Sequence, residues 1–282
     1  VHHLVSPYLN LKDFADYVGE SPASGQELMA LSVCQAVSRM ADAYTGRFFA
    51  QEVADKIFVA TRSGQTEFTL PDLAAPPSAI SADFDGDTTF ETGLISEPFI
   101  LIPDTAPYYA IQFTRLIAAV SAFTPGVRLK ISGLWGWPRD TKPGSALSAP
   151  LSGTTASVVT AAPFVIGDTV VIESEMALVT GISGNSLNLQ RGINGSQAVS
   201  HNSGVAVDIL VYPAIVTLAT GAALARVWRR IRSAFADPVF TTGTGGITDV
   251  GAFARLQLGL GIPREFLVML EGLRRAKIRA SY

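Results

Sequence analysis

The chain has 282 residues, 48% of them hydrophobic, with 25 Gly and 16 Pro; it can bury a sizeable core in one or two domains joined by many turns. A single cysteine, Cys34, excludes an internal disulfide and a thiolate metal cluster, and its place in an apolar helical pattern reads as a core thiol. The net charge of −3 hides an asymmetry: residues 226–282 hold ten Lys/Arg against four Asp/Glu, while the first 225 hold eleven against twenty. An acidic body with a basic tail suggests an interaction segment facing an acidic protein surface or nucleic acid.

Residues 1–9 read as an unpatterned arm without the basic, apolar and small-residue succession of a signal peptide. The adjacent His2 and His3 have no other ligand type near them and read as solvated. Asn10 is placed to cap a short helix over 11–18, with Phe14 and Val18 on one face and Gly19 ending it. After a linker at 21–25, a long helix over 26–44 carries Ala30, Val33, Val37, Met40, Ala41 and Tyr44 at helical spacing. Gly46 lets the chain leave it within Tyr-Thr-Gly-Arg-Phe-Phe, residues 44–49.

From residue 51 to 135 the period falls to two, and short strands are expected over 56–61, 67–70, 79–84, 88–94, 99–101, 110–113 and 127–132. Asp83-Phe84-Asp85-Gly86-Asp87 has a faint calcium-loop look, but its Gly is at the fourth position rather than the sixth, so a hairpin tip is the better reading. Residues 141–149 are rich in Pro, Ser and Gly and mark a boundary. A compact β module follows, with strands over 157–160, 169–172, 176–181, 186–190 and 205–210. His201 and Glu175 lie inside it without a nucleophile motif spaced to them, and read as turn and strand residues.

Pro213 then opens a helix, where a missing N–H costs nothing. Residues 214–225 carry no charge, so its first half should be buried all round. Its second half is amphipathic, with Leu224, Val227, Trp228, Ile231 and Phe235 inward and Arg226, Arg229 and Arg230 opposite. Asp237-Pro238 stops it. The uncharged run 209–225 is short for a membrane span and contains a proline, so no membrane partner is expected. Residues 240–250 form a Thr/Gly linker that lacks the Lys-Ser/Thr of a phosphate loop. A short helix over 253–258 is followed by a last one begun by Pro263, with Phe266, Leu267, Leu270 and Leu273 on one face. Arg274, Arg275 and Lys277 at its end suit the helix dipole. No nucleophile elbow, metal-binding His/Glu helix, dinucleotide fingerprint or paired Cys motif occurs, so neither catalysis nor a cofactor is expected.

Several motifs, in order, resemble the head-to-tail connector (adaptor) proteins of tailed bacteriophages. They are Leu11-Lys12-Asp13-Phe14, then Tyr44-Thr45-Gly46-Arg47 with Phe49. Next come Gly133, Trp135, Gly136 and Trp137 at a strand end, the Pro213 helix with Trp228-Arg229-Arg230, and a C-terminal helix. The resemblance covers about 8–138 and 213–278. It implies an α+β fold with a helical connector core, a β-sheet region and an inserted all-β domain. The expected parts are 1–147, the inserted module 148–210, and 211–282. It further implies a non-enzymatic virion protein of the neck, assembled in the host cytoplasm as a ring, a dodecamer in the family. Its partners would be the portal, a stopper or tail-completion protein, and genomic DNA sliding through without sequence-specific binding.

The basic C-terminal helix would dock on the portal through Arg264, Phe266, Leu267, Leu270, Leu273, Arg274, Arg275 and Lys277. Trp135, Trp137, Leu218, Trp228, Tyr44 and Phe49 would pack the core or neighbouring subunits. The module, which is similar to β modules of other phage neck and tail proteins, departs from the family plan; it is either a decoration of the ring or an added contact. The alternative is a receptor- or carbohydrate-binding virion protein acting through that module, although its only aromatic is Phe164. A nucleic-acid surface over 226–232 is weakened because Arg232 turns away from the other three arginines.

Overall fold

The computed structural model describes residues 6–114, 123–236 and 264–275. Among them, thirteen strands and four helices are found, and the strands form two antiparallel sheets. This corrects the expected helical connector core. The helices expected over 11–18, over 26–44, after Pro213 and after Pro263 do form, but they make one layer beside the two sheets, whose strands lie between residues 51 and 211. Period-two patterning over that span outweighs the helical stretches at either end.

Helix α1 (Leu11–Val18) starts with a reciprocal cap: the Asn10 side chain accepts from the Asp13 N–H, and the Asp13 carboxylate accepts from the Asn10 N–H. Helix α2 (Glu27–Thr45) ends at Gly46, whose φ of +67° is left-handed. Helix α3 (Ala214–Ala236) is the spine of the layer; α1, α2 and α4 (Arg264–Glu271) all pack against it. The first half of α3 is not buried all round. Val216, Ala219, Thr220 and Ala223 are inside, while Ile215 and Leu218 face out, Leu218 at 46% exposure. The side chains of 233–236, the expected stop at Asp237-Pro238, the 240–250 linker and the 253–258 helix fall outside the described residues.

The first sheet is organised on β7 (Arg128–Gly136). Along one side β7 pairs with all nine residues of β1 (Gln51–Val59). Along the other side its first half meets β3 (Ala79–Asp83) and its end meets β2 (Glu67–Leu73). Then β6 (Tyr108–Phe113) and β5 (Phe99–Ile102) extend the sheet past β2, while β4 (Thr92–Gly93) ends it beyond β3. Pro71 sits where the β2–β6 register slips, the position a residue without an N–H tolerates. The strand expected over 88–94 shrinks to two residues. Its first part is a tip where Asp83 accepts from the N–H groups of Gly86 and Thr88.

The second sheet runs β8-β13-β10-β11-β12-β9. Its strands are β8 (Asp140–Ala146), β9 (Thr155–Ser157), β10 (Thr169–Ile172), β11 (Glu175–Ser183), β12 (Ser186–Gln190) and β13 (Ala206–Val211). Strand β8 replaces the expected boundary loop, so this unit begins near residue 140. Its proline, Pro143, is tolerated because β8 is an edge strand with a register break opposite it. The module has its own apolar core, in which Phe164 is buried with Val170, Val179, Leu187 and Val207.

Candidate functional site

The two tryptophans of the strand-end motif enter different cores. Trp135 is buried in the first sheet and donates its indole N–H to the Ala54 carbonyl at 2.8 Å. Trp137 instead joins the helical core and lies 5.5 Å from Phe49. Gly136 makes the switch: its φ is +111°, and a Cβ there would meet the Ala50 oxygen at 2.1 Å. No side chain fits that crossing.

Around Trp137 the distant motifs meet. Tyr8 stands edge-on to Phe49 at 6.0 Å and 4.8 Å from Tyr212, and Phe14 is edge-on to Trp228 at 4.8 Å. The Tyr8 hydroxyl donates to Asp42 at 2.5 Å and accepts from the Phe49 N–H at 2.9 Å. Arg39 bonds the Ser6 carbonyl and lies over the Tyr8 ring. Burial pushes the Asp42 carboxyl up to about 6, although Arg39 and Tyr8 pull the other way. Burial also raises the Cys34 thiol to about 12, so it stays an inert core thiol.

Arg47, from the Tyr-Thr-Gly-Arg motif, clamps three segments. It binds both oxygens of Asp72 at 2.9 Å and donates through Nε to the Leu273 carbonyl at 2.7 Å. The Arg275 N–H returns to the Thr45 carbonyl at 2.8 Å, and its guanidinium reaches the Leu70 carbonyl. Phe266 and Leu270 are fully buried in the helical core, with Leu267 and Leu273 packed at its edge. The apolar face expected to dock on a portal is therefore the face α4 uses within its own chain. Tyr44 is half-buried; its hydroxyl bonds Glu271, and Arg274 lies over its ring. Val268, Glu271 and Arg274 face outward. The Arg264 side chain and Lys277 lie outside the described residues.

The module is joined to this body by the loops that its motifs supply. Asn194 in Arg191-Gly192-x-Asn194-Gly195 accepts from the Ser6 N–H and donates to the Ser6 hydroxyl. Its carbonyl takes the Val53 N–H of β1 at 3.0 Å. Asn10, the cap of α1, also donates to Asp168, and the Leu11 N–H reaches the Ile166 carbonyl. Asn10 and Asn194 were legible only as a cap and a turn residue, because their second role depends on contacts more than 150 positions away.

Glu175 and His201, apart in sequence, are brought together. Glu175 is fully buried and accepts from Arg191 Nε at 2.8 Å, Arg191 Nη2 at 2.5 Å and the Val199 N–H at 3.2 Å. Burial works against its charge, but the bonds from Arg191, His201 and Val199 outweigh this and hold the carboxyl below its ordinary range. The His201 ring spans Glu175 and Glu173, 2.8 and 2.7 Å from its two nitrogens. Both ring nitrogens are engaged by carboxylates, and Arg191 binds both oxygens of Glu175. The cluster ties the β10–β11 turn to the 191–204 loop.

Asp83, Asp85 and Asp87 can bring one oxygen each within 4.8 Å of the others. Asp83 is already engaged by Arg128 and two backbone N–H groups, which fits the hairpin tip. A groove beside the helical core, about 530 Å³, is walled by Phe14, Pro22, Met29, Trp228 and Ile231 and rimmed by Glu20 and Arg232. No helix among the described residues is long and apolar enough to cross a membrane. Comparison with protein-family models, with curated proteins and with solved structures gave no match.

Proposed function

We propose that the chain is a non-enzymatic structural subunit of a tailed-phage neck, of the head-to-tail connector kind, assembling as a ring under the portal. One observation carries this reading: the motifs that resemble the connector family, spread over more than 200 residues, mostly contribute to the helical core, Trp135 alone among their aromatics lying in the first sheet. Phe14 meets Trp228, Phe49 meets Trp137, and Arg47 holds the chain beyond α4. The outward Ile215 and Leu218 of α3 support a second role as subunit contacts.

In this reading the portal and a stopper or tail-completion protein are the axial partners. DNA passes a mainly acidic body that offers few phosphate-neutralising bases. Portal contact falls on the outward residues of α4, among them Val268 and Arg274, rather than on its buried face. The alternative, recognition through the inserted module, loses its aromatic anchor because Phe164 is in the module core. The test is phage assembly without the chain. Filled heads that never join tails, rescued by supplying the chain, are expected; normal tailed particles would overturn the proposal.

A further inference from the structure

The edges of the two sheets are finished differently. In the second sheet, edge strand β8 carries Lys142, Pro143 and a register break opposite, and the other edge, β9, has three residues. Those are the devices by which edges avoid pairing with other chains. Strand β1 carries a lysine, Lys56, but neither a proline nor a register break, and at nine residues it is not short.

Two bonds fix which way its backbone points. Ala60 donates to Val127 and Trp137 donates to Ala50, so the even residues of β1 face β7. The odd residues aim their N–H and C=O groups away. The Val53 N–H is taken by Asn194, whereas Asp55, Ile57 and Val59 have no backbone partner among the described residues. The side chains of Ile57 and Val59 are each 52% exposed. At the other end of the same sheet, Thr114 donates to Pro98, which turns Phe99 and Leu101 of β5 outward in the same sense. Ile100 between them is 47% exposed.

We infer that the free edge of β1 pairs with β5 of a second copy of this chain, parallel, with Val59 beside Ile100. The choice of a second copy rests on the ring reading above, since a ring needs two different surfaces on each subunit. Three features select this register. Val59 would donate to the Phe99 carbonyl, while Leu101 and Phe99 donate to the carbonyls of Val59 and Ile57. Val59 and Ile100, each exposed on its own subunit, fall on one face of the joined sheet. Lys56, which pairs with Glu52 of its own strand, comes opposite Glu97. An antiparallel pairing would instead set Ile57 and Val59 against Phe99 and Leu101, which pack into the sheet core.

Cysteines at both positions of one chain, Val59→Cys with Ile100→Cys, test this under mild oxidation; the native Cys34 is buried and serves as the parent control. A ladder of disulfide-linked oligomers is expected from the double variant and not from either single variant. The same linked species in single and double variants would overturn it. Val59→Pro removes the outward N–H that would donate to Phe99 and no bond of the β1–β7 ladder; loss of assembly by a chain that still folds is expected, and normal assembly overturns the inference. A ladder from a chain that ignores the portal would leave the edge pairing standing and remove the neck reading. A ring on the portal with no such link would do the reverse.

Discussion

The 140–211 sheet is built from one continuous stretch of chain, whereas the body gathers residues from both sides of it, before 140 and after 211. The sheet has its own apolar core and a buried staple in which Glu175 pairs with Arg191 and is hydrogen-bonded to His201. Within the body the first sheet, residues 51–136, also has an apolar core of its own, but the helical layer does not. Its helical core exists only when Tyr8, Phe49, Trp137, Tyr212 and Trp228 are brought together. A locally closed unit can be inserted into a chain without disturbing what lies beyond it, provided its ends emerge close together, and here β8 and β13 are paired neighbours. The body's order then depends on a few crossing points.

The largest separation between the two regions should come from Gly136→Val. Its backbone has a left-handed φ, and the new side chain would drive into the Ala50 oxygen, costing roughly 4 kcal/mol. Hydrogen exchange should show β1, β7 and the helices losing protection while β10–β12 keep theirs. Loss in both regions together would mean they fold as one cooperative unit. The reverse experiment is Glu175→Gln, which leaves Arg191 buried without its counter-charge at a cost of about 3 kcal/mol. Protection should fall first in the 173–204 region.

Asp42→Asn addresses the body by pH. The Asp42 carboxyl is raised from 3.8 to about 6 in the folded chain, so the folded state holds its proton more tightly than the unfolded one. Its contribution is full below pH 4 and is lost as pH rises through about 6. The stability difference between wild type and Asp42→Asn should therefore shrink by on the order of 2 kcal/mol across that window. A difference that does not change with pH would contradict it. The smallest effect is at the joint: Asn194→Gly keeps the positive φ but removes the bonds to Ser6, costing about 1 kcal/mol. Proteolysis should then begin at the N-terminal arm.

Local signals carried much of the architecture. The Asn10 and Gly19 caps bound α1 where the pattern placed it, and Gly46 ends α2 within a residue of the expected position. Strands 169–172 and 186–190 were legible from alternation between turn signals. Strand β8 was not, because Pro143 and Gly144 read as a loop unless the strand is known to be an edge. The weight of the fold was misread for a related reason. Helical periodicity is conspicuous over long runs, while short strands reveal their share only when paired. The same limit applied to residues: the cap and turn roles of Asn10 and Asn194 concealed a joint, and the apolar stripe of α4 gave no sign that its partner lay in the same chain.

The most direct test is the mass of the purified chain in solution, alone and then with the cognate portal. A closed ring, formed by the chain itself or only on the portal, is the predicted result. A monomer at every concentration that ignores the portal would contradict the account.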